Sequence, residues 1–258
     1  MRRLLAVCLV VLAVAGCSAS AADCGDTGSA TSCTRILFVG NSFTYVNDLP
    51  ATFAQLARSG GHPVQTGMAA QGGFRLADHL TSGDTMTALR SARWTFVALQ
   101  EQSQLPAIAT LRRSQMDPAA RSLAGLVRAG GASPIFFVTW AHRAGWPENG
   151  LPTYESMQRQ IDAGYLAIAR ELGTPVSPVG PAWLAITQRH AELELWQADG
   201  VHPTPAGTYL AACVFYAAIF HQTPVGLAYA GLPGDTAKTL QEFAATTVLA
   251  DPGEWGLP

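Results

Sequence analysis

The chain has 258 residues, of which 48% are hydrophobic and 13% charged, with 16 basic side chains against 18 acidic ones and a formal net charge of -2. That balance excludes a disordered chain, which needs low hydrophobicity and high net charge, and the absence of a short period excludes a fibrous one. A chain so close to neutral also lacks the basic footprint that binding to nucleic-acid phosphates requires.

Met1-Arg2-Arg3 precedes the apolar run Leu4 to Val14, the charged-then-apolar order of a secretory signal. The run is shorter than the roughly 20 residues that span a bilayer. Val14-Ala15-Gly16-Cys17 resembles a bacterial lipobox, so residues 1–16 are expected to be a lipoprotein signal peptide. Cys17 would then carry lipid and residues 17–34 would form a tether. An ordinary signal cut near Ser18 to Ala22 is the alternative. In either case export is expected, with the lipidated form anchored to a membrane of the cell envelope. Cys24 and Cys33 flank a Gly/Ser/Thr-rich segment in what would be an oxidising compartment, where a local disulfide is expected. Cys213 falls in an apolar stretch and reads as a buried, inert thiol. No Cys/His cluster has the spacing of a zinc site.

After the tether, Arg35 to Val39 is a buried strand that ends in Gly40-Asn41-Ser42. Asp48, Pro50 and Gly60-Gly61 then mark the cap, first turn and terminator of a helix. The alternation continues with a strand near Val64 to Met68, helices between Leu76 and Arg93, and a strand over Thr95 to Leu99. A helix from about Pro118 to Ala129, a strand over Pro134 to Thr139 and a helix over Tyr154 to Leu172 follow. Last come a strand near Pro175 to Val179 and a helix from Pro205 to Phe220, with one more helix available over Asp235 to Leu249. This order implies a parallel sheet covered on both faces, in one domain over residues 35–250. The Gly/Pro-containing tail, 251–258, is expected to be loosely held.

Several standard motifs are missing: G-x-S-x-G, the Walker A loop, G-x-G-x-x-G and H-E-x-x-H. Asp199-Gly200-Val201-His202 is different, because an aspartate three residues before a histidine in a tight loop can hold one ring nitrogen while the other takes a proton. Ser42, at the carboxyl end of the first strand, could give up its proton to His202 and act as a nucleophile. Taken singly, each element reads better as a turn or capping residue than as a catalytic one.

Together, Gly40-Asn41-Ser42 and Asp199-x-x-His202 resemble the SGNH, or GDSL-like, hydrolase superfamily over about residues 35 to 221. The resemblance implies a single-domain three-layer α/β/α sandwich with a mainly parallel, flavodoxin-like central sheet. It implies Ser42 as nucleophile, His202 as base and Asp199 as the third triad member. The backbone N–H groups of Ser42 and of Gly73, with Gly72 as the second choice for the glycine, would bind the oxyanion. Where most members carry G-x-N-D, this chain has Leu99-Gln100-Glu101-Gln102. Either Gln102, by motif position, or Gln100, nearer the strand, is expected to replace the asparagine donor, and a continued extended backbone would point both to one face. No metal or organic cofactor is implied.

Trp140, after the fourth strand, is read equally as a sugar-stacking residue or as core. Tyr45 and Phe74 carry the same ambiguity. The expected function is an exported serine ester hydrolase that removes small acyl groups, acetyl above all, from carbohydrate. A lipase or thioesterase acting on longer chains, or a catalytically silent carbohydrate-binding envelope lipoprotein, are the alternatives.

Overall fold

The structure is a computed structural model that describes Cys24 and residues 33–258. The expected signal peptide, the lipid-bearing Cys17 and most of the tether lie outside the described residues. Cys24 and Cys33 are joined by a disulfide, with Cα atoms 5.6 Å apart.

Five strands form one parallel sheet: β1 (Thr34–Gly40), β2 (Val64–Ala70), β3 (Phe96–Leu99), β4 (Ser133–Phe137) and β5 (Val176–Ser177), in the order β2-β1-β3-β4-β5. The connecting helices are α1 (Ser42–Tyr45), α2 (Leu49–Ser59), α3 (Leu76–His79), α4 (Gly83–Arg90), α5 (Ala109–Leu111), α6 (Asp117–Ala129), α7 (Tyr154–Leu172), α8 (Val179–Arg189), α9 (Pro205–Phe220) and α10 (Gly234–Leu249). From β1 the chain steps to one side to reach β2, then crosses back to β3 and proceeds to β4 and β5. Right-handed crossovers therefore put α2 on one face and α4, α6 and α7 on the other. After β5 the chain returns to the α2 side, where α9 packs between α2 and α10. The result is a three-layer α/β/α sandwich of one domain.

Local signals account for the helix ends. Asp48 caps α2, its carboxylate accepting from the Ala51 N–H at 3.1 Å, and Pro50 sits in the first turn. Thr204 caps α9 in the same way, accepting from the Gly207 N–H at 3.2 Å ahead of Pro205. Helix α9 is apolar all round and buried along nearly its whole length, which is how a helix behaves when covered on every side. Its Phe215 meets Phe38 of β1 and Phe137 of β4 edge-on, with ring centroids 5.2 and 5.1 Å apart. Cys213 is fully buried there, and burial pushes its thiol well above the usual range.

Three details differ from the sequence reading. The last strand is two residues long, because Val179 already begins α8; Gly180-Pro181 looks like a breaker, yet proline is tolerated in a first turn. Residues 105–116, left without structure by the sequence, form short helical turns running into α6. The tail is not loose. Trp255 and Leu257 are buried, and the Trp255 indole N–H donates to the Thr247 carbonyl at 2.8 Å.

Candidate active site

The sheet order reverses at β1, whose two neighbours are reached by crossovers on opposite faces. Such a switch point leaves a crevice beyond the carboxyl ends of the strands. The crevice here lies between the ends of β1 and β3, where Gly40-Asn41-Ser42 and Gln100-Glu101-Gln102 emerge. Glycine makes room at this place: a Cβ on residue 40 would collide with Gln100 Oε1 and Thr44 Oγ1. Asn41 is buried and spends its side chain on the backbone. Its Oδ1 accepts from the Phe43 N–H at 3.1 Å, and its Nδ2 donates to the Phe74 carbonyl at 3.0 Å. Ser42, next in line, is left half-buried at the first residue of α1.

His202 arrives from the loop before α9. Its Nε2 lies 3.0 Å from Ser42 Oγ, and its Nδ1 lies 2.6 Å from Asp199 Oδ2. The other carboxylate oxygen of Asp199 accepts from the N–H groups of Val201 and His202 at 2.9 and 3.0 Å, which closes the four-residue loop on itself. The hydrogen bond from His202, aided by those two backbone donors, holds the Asp199 carboxyl down at about 2. An ionised carboxylate on Nδ1 fixes the proton there and leaves Nε2 free to take the hydroxyl proton.

The loop is braced from behind. Trp140 donates its indole N–H to the Val201 carbonyl at 2.9 Å and stacks on Phe43 at 4.3 Å, and Phe43 in turn meets the His202 ring edge-on. Arg143 donates its backbone N–H to the Gly200 carbonyl at 2.8 Å and pairs with Glu194. In front of Ser42 opens a cavity of about 290 Å³, walled by Gly73, Gln102, Ser103, His142 and His202. Gly73 is exposed at the edge of this cavity with φ +73°, a conformation that a residue with a Cβ rarely adopts.

A scan against protein-family models finds no match, and a search of the curated proteins finds none either. The solved structures are more informative. A proposed SGNH hydrolase from Slackia heliotrinireducens is 33% identical, covers 72% of this chain and 98% of its own, and superposes with a TM-score of 0.62. The chain belongs to the SGNH hydrolase family. A DUF4886 family protein from Bacteroides uniformis shares the fold at 19% identity, over 84% of this chain and 95% of its own, with a TM-score of 0.72. So does a catalytic mutant of an acetylxylan esterase from Geobacillus stearothermophilus, at 14% identity over 72% and 94%, with a TM-score of 0.54.

Within this SGNH hydrolase the two glutamines do not share a face, because the regular strand stops at Leu99. Gln100 is buried. Its Oε1 accepts from the Asn41 N–H and the Thr44 hydroxyl, both at 3.0 Å, and its Nε2 donates to the Glu101 carbonyl at 2.6 Å, so both ends of its amide are engaged behind the site. Gln102 lies on the cavity wall instead. Its Oε1 accepts from the Gln104 and Leu105 N–H groups at 2.8 and 3.1 Å, while its Nε2 has contacts no closer than 3.4 Å. Trp140 is a further correction: it is fully buried between Phe43 and Trp183, unable to meet a substrate, and its work is to pack the serine and histidine loops. Tyr45 is exposed, whereas Phe74 is half-buried against His79.

Sequence reasoning met His142 only as one residue of the aromatic and polar segment 139–147 after the fourth strand, expected on the rim of the site, and gave it no role of its own. Its Nε2 lies 3.0 Å from Ser103 Oγ, and both residues face the cavity. Burial, with the charge of His202 adding to it, pushes its pKa below the usual value, so it is a neutral hydrogen-bonding wall. Its pairing with Ser103, 39 residues away, leaves no mark along the chain.

Proposed function

We propose that the chain is a serine ester hydrolase working through a Ser42, His202 and Asp199 triad, most at home on small acyl esters of carbohydrate. The observation that carries this reading is the continuous relay from Ser42 Oγ to His202 at 3.0 Å and from His202 to Asp199 at 2.6 Å. His202 removes the Ser42 proton, and the alkoxide attacks the ester carbonyl. The resulting oxyanion is received by the N–H groups of Ser42 and Gly73 and by the Gln102 side-chain amide, whose oxygen is anchored and whose nitrogen is weakly engaged. His202 then protonates the departing alcohol, and water repeats the sequence on the acyl-enzyme.

Two features favour a small acyl group on a polar alcohol. The cavity is modest, and Phe43 and Val201 are the hydrophobic side chains of its wall, which leaves little apolar surface for a long chain. Ser103, Gln104 and His142 offer hydrogen-bonding partners for hydroxyl groups instead. The acetylxylan esterase among the structural relatives points the same way. The signal-like N-terminus and Cys17 support an exported, lipid-anchored enzyme that meets glycans outside the cytoplasm.

The test is a parallel assay of wild type and Ser42→Ala on acetylated polysaccharides and on p-nitrophenyl esters of increasing chain length. Hydrolysis of acetyl esters by wild type, with a loss on the order of a million-fold in the variant, is expected. A preference for long acyl chains would favour a lipase or thioesterase, and turnover unaffected by Ser42→Ala would remove the serine from the mechanism.

A further inference from the structure

A second carboxylate lies behind the cavity and takes no part in the relay. Glu101 is fully buried, and one of its oxygens, Oε1, accepts two backbone N–H groups: Leu76 at 3.1 Å and Gln102 at 2.7 Å. These donors belong to different loops. Leu76 ends the Gly73 loop that follows β2, and Gln102 belongs to the turn that follows β3. The backbone N–H of Glu101 itself donates to the Tyr165 hydroxyl at 2.9 Å, which fastens the carboxylate's own position to α7. Its second oxygen, Oε2, is buried with no hydrogen-bond partner among the described residues.

We propose that Glu101 is a positioning residue that sets the spacing between the Gly73 N–H and the Gln102 amide by gripping both loops through one oxygen. The inference rests on the catalytic reading above, because the two loops matter to rate only if their donors receive the oxyanion. The geometry favours it over a purely structural role. The two loops follow β2 and β3, the strands on either side of β1; Gly73 lies three residues before the gripped Leu76, and Gln102 carries both the gripped N–H and the donor amide. A donor must reach the place where the oxyanion forms, and displacement of a positioned group by about 1 Å costs on the order of 100-fold in rate.

The grip is stronger when Glu101 is ionised, since hydrogen bonds to a charged acceptor are about twice as strong as neutral ones. Burial raises its pKa to about 7, while the Gln102 and Leu76 donors and the nearby Arg75 pull it down and Asp78 pushes it up. Tyr165, facing it from α7, remains neutral, because burial pushes its hydroxyl well above the usual range. Glu101→Gln keeps the accepting oxygen and the shape but fixes the neutral state.

The experiment compares wild type with Glu101→Gln from pH 5.5 to 8.5, reading kcat and KM on an acetyl ester and the rate of Ser42 labelling by a serine-directed phosphonate. The proposal expects the two proteins to agree at pH 5.5. At pH 8.5 the variant's kcat and labelling rate should fall roughly 10- to 100-fold below wild type, with KM little changed. Superimposable pH profiles for the two folded proteins overturn it. If wild type is not labelled at Ser42 at all, the triad reading fails rather than the grip alone. Should Glu101→Gln not fold, amide NMR of wild type decides: the Leu76 and Gln102 N–H resonances should titrate together with a midpoint near 7, and their failure to move overturns the proposal.

Discussion

Asp199 and Glu101 are two carboxylates that each hold residues of one cavity wall, and their surroundings are opposite. Asp199 is exposed, accepts from one imidazole and two backbone N–H groups, and is held down at about 2. Glu101 is buried with one oxygen unpartnered and is pushed up to about 7. The exposed group is arranged to keep its charge at every working pH, which suits a partner for a histidine that becomes positive. The buried group is arranged as a brace, whose charge adjusts its strength. Where a carboxylate sits thus tells more about its task than its distance from the serine.

The sharpest break in that comparison is Asp199→Asn. The amide keeps the shape but presents a donor or a neutral acceptor to His202 Nδ1, disturbing the tautomer that leaves Nε2 free. Activity should fall roughly 10,000-fold with the fold intact, as measured by kcat/KM and circular dichroism together. A loss of less than tenfold would mean that the carboxylate is not the partner on which His202 depends.

Next in size is the contrast between the two glutamines. Gln102→Ala should lower kcat by about 100- to 1000-fold, the range for losing one oxyanion donor, with little change in melting temperature. Gln100→Ala should instead lower stability by about 1–3 kcal/mol, because the Asn41 N–H and the Thr44 hydroxyl lose their shared acceptor in a buried place. Denaturant titration and kcat, measured on both variants, separate the roles. Equal small losses in rate would leave the oxyanion to the backbone donors.

The layers of this fold were legible because each rests on a short-range signal: Asp48 and Thr204 cap their helices, and apolar runs end in glycine or polar turns. Ser42 and the Asp199-x-x-His202 loop were legible for a similar reason, since one spacing along the chain specifies one loop. What escaped depends on tertiary contact. Gln100 and Gln102 looked equivalent until the strand ended at Leu99, and Trp140 stood evenly between rim and core until Phe43 and Trp183 enclosed it. His142 and Glu101 take their meaning from Ser103, Leu76 and Gln102, through contacts that no periodicity records. The tail was misread because its glycine and proline content describes local flexibility, whereas burial of Trp255 and Leu257 decides its state.

A pH-dependent difference in stability sharpens the comparison on the side of Glu101. Its carboxyl titrates near 4.5 when unfolded and near 7 when folded. Below 4.5 both states hold the proton and the stabilising preference of the fold for the neutral form is complete; it is lost as pH rises through 7. The shift corresponds to on the order of 3 kcal/mol. Asp162, half-buried beside Gln158 and also raised to about 7, acts in the same direction. His79 and His142 act in the opposite one, since burial lowers both and their contribution is lost as pH falls. The net profile of wild type therefore mixes signs, but the difference between wild type and Glu101→Gln isolates one group. From pH 5 to pH 8 the Gln variant should gain stability relative to wild type, measured by denaturant unfolding at each pH. A variant that becomes relatively more stable while turning over more slowly is what a brace predicts, because the charge that strains the fold is the one that tightens the loops. A difference independent of pH would show that Glu101 keeps one protonation state across this range.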